Sequence, residues 1–195
     1  MPYRGGGTGR SQAQRKVPCM DDDVPVRHER APDEGQRLPC HYTGCFGCGE
    51  GGLGMALFAG PGVSVTGTGE ITAEHQGAPG LAHGGIVAAV MDETLGSLNW
   101  MLMRPAVTAQ LTTNFRQPIP VGSSLHVSGW GVRVEGRKFF AEGEARLGGP
   151  EGPVVATGAA LFVSVTTEHF RRHGRSEDVQ RAAALHEWHP IEADS

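Results

Sequence analysis

No excess of positive charge marks this chain. Seventeen Lys and Arg stand against 21 Asp and Glu, a net charge of −4, so nothing draws it in bulk to nucleic acid. No apolar run approaches the roughly 20 residues that a membrane helix needs, so no membrane association is expected. Met1 to Val17 is Gly, Ser, Gln and Arg without an apolar core, so that stretch does not read as a secretory signal, and a cytoplasmic enzyme is expected. Apolar residues are also sparse. At 38% of 195 residues they suffice for one core, but not for a chain packed from end to end. That length fits one domain with tails.

Cysteine is scarce too: there are four, of which Cys40, Cys45 and Cys48 cluster and Cys19 stands apart. Cys45-Phe46-Gly47-Cys48-Gly49 has the shape of a zinc knuckle, and Cys40 or His41 could add ligands. A closed site needs four ligands, and no second Cys-x-x-Cys follows. A reduced structural loop is therefore expected, with no metal and no cofactor. A disulfide is not expected in a cytoplasmic protein.

What is present is organised in blocks. Residues 1–38 are rich in Gly, Pro, Gln and charge without apolar periodicity, and read as a disordered leader. Two strand-like pieces lie between Leu53 and Ala73, around the Gly60-Pro61-Gly62 turn. Glu74 to Ala82 is a loop, followed by a helix from about Gly85 to Met101. Four strands then follow. Ala106 to Arg116 alternates cleanly, with Val107, Ala109, Leu111, Thr113 and Phe115 on one face and Thr108, Gln110, Thr112 and Asn114 on the other, polar one. Leu125 to Val134 changes apolar phase beside Gly129 and Gly131, which predicts a bulge. Lys138 to Leu147 alternates again, and Val154 to Val165 is apolar enough for a central strand. Short turns make these strands antiparallel neighbours, and the helix must bury itself against them: an α+β domain over residues 39–168. Residues 169–195 form a charged tail, in which Ser176 can cap a short helix running to Glu187.

The helix opens on His83-Gly84-Gly85 and carries Asp92 among Val, Ala, Met and Leu. A carboxylate among apolar residues is costly unless paired or used. Glycines let another molecule approach the N–H groups of a helix start, and such donors with an acid on the same helix suggest carbonyl chemistry. The bland readings are that His83 merely caps the loop, that Asp92 pairs with Arg104 or Arg116, and that Thr108 is a solvated strand residue. Glu93 is the alternative acid, Trp100 and Met101 read as core, and His75 as exposed and idle.

These segments together resemble the hotdog-fold acyl-CoA thioesterases, in particular the PaaI-type group of the phenylacetate pathway. The resemblance rests on Cys45-Phe46-Gly47-Cys48-Gly49 with Gly52-Leu53, on Gln76-Gly77-x-Pro79-Gly80-x-x-His83-Gly84-Gly85 with Asp92 nine residues after the histidine, and on Asn114-Phe115-Arg116-Gln117-Pro118-x-Pro120-x-Gly122. It covers about residues 40 to 167. It implies a hotdog fold, an antiparallel sheet of five or six strands wrapped around one long central helix. It also implies hydrolysis of an acyl-CoA or acyl-carrier thioester. The Gly84 N–H would polarise the carbonyl, Asp92 would act as nucleophile or general base, His83 would orient the carbonyl, and Thr108 would position water. Gln76, Gly77 and Gly85 would border the substrate. Arg137 and Lys138, with Arg133 beside them, could meet CoA phosphates. Some relatives carry an Asn six residues before the histidine; here that position is Gly77, with Gln76 the nearest amide. A hotdog dehydratase or hydratase, or a non-catalytic acyl-binding module, are the competing readings.

Spacing adds a constraint of its own. Gly84 and Asp92 are eight residues apart, about 12 Å along a helix at roughly 1.5 Å per residue. One carbonyl carbon cannot be within about 3.5 Å of both. Two antiparallel helices about a two-fold axis would join Gly84 of one chain to Asp92 of another, so a homodimer with composite sites is expected, or a dimer of dimers.

Overall fold

The computed structural model describes residues 24–40, 44–49 and 51–185. Six strands form one antiparallel sheet: β1 (Ala56–Ala59), β2 (Ser64–Glu70), β3 (Ala106–Phe115), β4 (Ser124–Glu135), β5 (Lys138–Leu147) and β6 (Val154–Ser164). Their order is β1-β2-β4-β5-β6-β3. The expected α+β architecture is present, with helix α1 (Gly84–Gly96) lying across the concave face of the sheet against β2 to β6.

A row of small residues lets the helix lie close. Gly129, Gly143 and Gly158 stand side by side on adjacent strands. A Cβ on Gly143 would fall 2.9 Å from Leu95 Cδ2, and one on Gly158 would fall 2.9 Å from Met91 Cε. Met91, Thr94 and Leu95 are fully buried over this trough, and Thr94 Oγ1 donates to the Val90 carbonyl at 2.7 Å, which satisfies its hydroxyl inside the core. Val87, Val90, Val127, Phe139, Ala141 and Phe162 complete the centre of the core.

The long helix expected to Met101 is interrupted. After Gly96, successive bonds run from Leu98 N to Leu95 O, Trp100 N to Ser97 O and Met101 N to Leu98 O, each spanning three residues rather than four. This tightening separates the short α2 (Asn99–Leu102) from α1. Ser97 Oγ, which donates to Thr94 O at 2.7 Å, holds the corner. Met103 then adopts a left-handed conformation, φ 50°, ahead of Pro105.

Residues 24–38, expected to lack structure, form a strap. Leu38 N donates to Leu57 O and Ala59 N to Gln36 O, with Arg37 bridged to Phe58, so the strap covers the free edge of β1. Leu38 is buried, and His28 N reaches Met101 O. Backbone pairing needs no apolar periodicity, so composition concealed it. The other sheet edge, β3, pairs with nothing on its outer side among the described residues.

The predicted bulge in β4 lies between Gly131 and Arg133. Trp130 and Val132 point outward and are exposed, and the apolar phase returns to the core only at Val134. After β6 come α3 (Thr167–His173), which the charged sequence did not suggest, and α4 (Ser176–Leu185), which starts where expected. Glu187, the expected end of that helix, lies outside the described residues, as do Cys19 and His41.

Candidate active site

Helix α1 begins at His83, which has extended backbone (φ −68°, ψ 134°) and acts as the N-cap. Its Nδ1 accepts the Gly85 N–H at 2.9 Å. An accepting Nδ1 places the proton of a neutral ring on Nε2. Ile86 and Val87 donate to His83 O. Gly84 N–H, first in the helix, therefore has no partner within it, and His83, Gly84 and Gly85 are all exposed. An exposed, unengaged donor at the positive end of a helix can hold a developing oxyanion.

The loop before the helix is tightly built. Gln76 pairs with Ala82 and Leu81 with Pro120, and Ala82 N donates to Ile119 O. Two of the three segments that carry the resemblance, 76–85 and 114–122, are thus joined by backbone bonds. Gln76 Oε1 accepts from Gly80 N at 3.0 Å, so this amide closes its own loop. Gly77 lies against His83: a Cβ there would fall 2.7 Å from His83 Cα and 2.9 Å from the ring carbon Cδ2. His75, expected to be exposed, is buried at 8% exposure. Its Nδ1 accepts from Thr72 N at 3.1 Å and its carbonyl accepts from His83 N at 2.8 Å, so it braces the backbone of this loop.

Asp92 is half-buried, and its Oδ1 accepts from Thr108 Oγ1 at 2.9 Å. Strict alternation put Thr108 on the outer face of β3. The structure corrects this. A bulge between Thr108 and Gln110 shifts the register, so that Thr108 stands opposite the buried Phe162 on the helix face. Leu111 and Thr113 resume that face beyond the bulge, and Phe115 ends it, 3.5 Å from where a Gly84 Cβ would lie. Gly84 thus lies at the Phe115 end of the unpaired edge strand and Asp92 at its Thr108 end. No ion pair from Asp92 to Arg104 or Arg116 is found among the described residues.

Arg137 and Lys138 are exposed at the β4–β5 turn, in the ladder row next to Phe139, Phe162 and Thr108 but two strands in from the β3 edge. Arg137 Nε donates to Ser164 O at 3.0 Å. Arg133 stacks over Phe140 at 3.5 Å and pairs with Glu135 at 2.6 Å. The larger of two described clefts, about 560 Å³, is lined by Leu53, Glu70, Thr72, Glu74 and His75 among others and contains neither Gly84 nor Asp92.

The reduced loop expected around Cys40 is corrected as well. Cys40 and Cys48 form a disulfide, because the turn from Cys45 to Gly49 folds the chain back and sets their Cα atoms 5.3 Å apart. That spacing is within the bridging range of about 4.4–6.8 Å. Cys45 lies outside the disulfide, and its sulfur, that of Cys48 and a Glu93 carboxylate oxygen are within 4.8 Å of one another. Glu93 therefore faces the cysteine loop, not Thr108, and sequence spacing alone gave no sign of that.

The profile of the thioesterase superfamily matches residues 79–154, which span the pre-helix loop, α1 and the strands from β3 into β6. Acyl-coenzyme A thioesterase THEM4 of Xenopus laevis is 35% identical over 71 residues, covering 36% of this chain and 32% of that protein. The bovine THEM4 is 33% identical over 93 residues, 48% of this chain and 38% of its own length. The chain thus spans about a third of the length of these curated relatives. Among solved structures, the thioesterase superfamily protein RHA08564 is 31% identical with a TM-score of 0.56, over 69% of this chain and 74% of that one. The phenylacetic acid degradation protein PaaI of Thermus thermophilus, at 22% identity and a TM-score of 0.53 over 58% and 95%, shares the fold. The chain belongs to the thioesterase superfamily.

Proposed function

We propose that this protein hydrolyses an acyl-CoA thioester, in composite sites formed by two copies of the chain. The observation that carries the reading is the placement of the two half-sites along β3. An exposed helix-start N–H stands at one end, and a carboxylate held by a threonine hydroxyl stands at the other. Pairing two β3 edges antiparallel about residues 111 and 112 sets Phe115, and with it Gly84, beside the partner's Thr108 and Asp92. Neither described cleft includes Gly84 or Asp92, which fits an acyl channel closed only by a second copy. The relatives named acyl-coenzyme A thioesterase support CoA as the thiol carrier.

In this site the Gly84 N–H and the α1 dipole hold the thioester oxygen as negative charge develops on it. The His83 ring, fixed by its bond to Gly85 N, presents its Nε2 edge at the same helix end. Asp92 of the partner supplies the base for water, or attacks the carbonyl itself to give an anhydride that water then opens. Thr108 donates to one carboxylate oxygen, which leaves the other oriented for that task. Cleavage expels the thiolate, which leaves as CoA thiol on protonation. Arg137 and Lys138 stand at the Asp92 end, exposed, and are assigned to the CoA phosphates.

The test is thiol release from a panel of acyl-CoAs. Wild-type chain is expected to release thiol, and Asp92→Asn to lose most turnover while its mass in solution stays that of the wild-type assembly. No release from any thioester at micromolar enzyme would overturn the reading. A fully active monomer by light scattering would overturn the composite site alone.

A further inference from the structure

The cysteine loop presents a set of ligands that the thioesterase reading leaves unused. We propose that Cys40, Cys45, Cys48 and Glu93 form a tetrahedral zinc site when the Cys40–Cys48 disulfide is reduced. The proposal does not rest on the catalytic reading, since none of these side chains belongs to the half-sites.

In sequence, the Cys45-x-x-Cys48-Gly49 knuckle with Cys40 upstream offers three cysteine ligands; His41 lies outside the described residues, and among the described ones a fourth ligand must come from elsewhere. The fold supplies one from α1. The sulfurs of Cys45 and Cys48 and a carboxylate oxygen of Glu93 lie within 4.8 Å of one another, close to the spacing of ligands around one ion. Cys40 sulfur is bonded to that of Cys48, so it belongs to the same group. The loop lies close to α1: a Cβ on Gly47 would overlap the Glu93 carboxylate, so any larger residue there would push that side chain away from the sulfurs. The loop is held by Gly49 N to Cys45 O at 2.9 Å, Leu53 N to Phe46 O at 2.6 Å and Met55 N to Gly47 O at 3.1 Å. All three ligands in the cluster are half-buried, which allows ion access while limiting competition from water.

Three thiolates and one carboxylate select the metal. Soft sulfur donors disfavour calcium and magnesium, and a four-coordinate sulfur-rich set suits zinc. The net charge of the filled site, −2, equals that of a four-cysteine zinc site. Loading requires reduction first. A dithiol gives two electrons and two protons to the disulfide, becoming a disulfide itself and leaving Cys40 and Cys48 as thiols. Zinc then displaces the protons of three thiols, releasing them to solvent, while Glu93 binds as its carboxylate. Oxidised, the set keeps Cys45 and Glu93 as its donors among the described residues, too few to hold the ion.

Cobalt(II) serves as the probe, with full-length untagged chain handled without oxygen. After reduction with a dithiol and its removal, the wild-type chain should bind one cobalt per chain, with thiolate-to-metal charge transfer in the near ultraviolet and strong tetrahedral bands in the visible. Added zinc should displace them. Before reduction these bands should be absent. Cys40→Ser, which cannot form the disulfide but lacks one of the four ligands, should show bands without any reductant yet bind more weakly than the reduced wild-type chain. Cys45→Ser and Glu93→Gln should each weaken binding by at least the roughly 10–100-fold that loss of even an outer-shell partner costs. Three results would overturn the proposal. One is the absence of thiolate bands in the reduced wild-type chain. Another is bands indifferent to both Cys45→Ser and Glu93→Gln. The third is equal cobalt uptake before and after reduction.

Discussion

Replacing Gly84 by proline removes one atom group that the proposed chemistry needs and little else. Gly84 is the first helical residue, where proline is tolerated because its N–H has no helical acceptor. The residue before a proline must be extended, and His83 already is, with ψ 134°. The added Cβ would meet Phe115 Cζ at 3.5 Å, an ordinary contact. The fold should therefore survive while the donor disappears. Loss of one oxyanion donor costs about 10²–10³ in kcat. Gly84→Ala, which adds the same Cβ and keeps the N–H, should lose far less. The assay is thiol release under saturating acyl-CoA, with the assembly checked by light scattering. A Gly84→Pro enzyme within about threefold of wild type would refute the assignment of the donor, since the loss expected is at least about thirty times larger.

The same variant tests the two-chain site. Gly84→Pro and Asp92→Asn are each expected to be nearly inactive alone. Unfolded together and refolded, random assortment makes about half of the dimers mixed, and each mixed dimer has one site with both defects and one with neither. Activity should recover to about one quarter of wild type per chain. Recovery that stays at the level of the separate variants, with mixed dimers shown to form, would mean that the donor and the acid serve the same carbonyl within one chain.

Other outcomes follow from particular contacts. Thr108→Val removes the hydroxyl that holds Asp92 at 2.9 Å. A hydrogen bond to a charged group is worth about 1.5–3 kcal/mol, so kcat should fall by roughly 10–150-fold, and Thr108→Ser should restore most of it. Gly143→Ala puts a methyl group 2.5 Å from Ser128 O and 2.9 Å from Leu95 Cδ2. Urea unfolding should show a loss of about 1–3 kcal/mol, as overpacking does. In the tail, the Asp178 carboxyl is held below its ordinary value by the side-chain hydrogen bond from Arg175, with the charges of Arg175 and Arg181 adding to it. A lowered carboxyl contributes stability above its unfolded value and loses it as pH falls through the folded one. Helix α4 should therefore lose amide protection as the pH falls below 3.8, and Asp178→Asn should reduce that dependence.

Much of the fold was legible because burial imposes period. The alternation in β5 and the continuous apolar run of β6 both follow from their positions inside the sheet, where one or both faces are covered. What stayed hidden has other causes. The strap at residues 35–38 docks by backbone hydrogen bonds to β1, and backbone bonds leave no pattern in side-chain polarity. The end of α1 at Gly96 is set by a serine and an asparagine bonding to nearby carbonyls, a local competition that apolar spacing does not report. From the sequence Glu93 reads as the alternative acid beside Asp92. The fold brings Cys45 and Cys48 against it and gives it sulfur neighbours.

Thr108 shows most directly how a site departs from periodicity. Alternation along β3 assigns it to the face of Gln110 and Thr112, away from the helix. One extra residue, Ala109, reverses that phase between Thr108 and Gln110, and the hydroxyl meets Asp92. A bulge beside a functional side chain is a way to aim it without changing the rest of the strand. Beyond the bulge, Leu111 and Thr113 keep the core packing that the pattern requires. The same logic applies to Gly77. An asparagine there would place its Cβ 2.7 Å from His83 Cα. A chain with an amide at that position must carry its pre-helix loop farther from the histidine. In this chain His83 N–H donates to His75 O, Gly77 lies against the histidine, and the Gln76 amide is spent on the loop turn. On the proposed mechanism, the helix-start donor and the partner's acid would polarise and attack the carbonyl without a side-chain amide. For that reason Gly84→Pro should be costlier here than in a relative that keeps the asparagine.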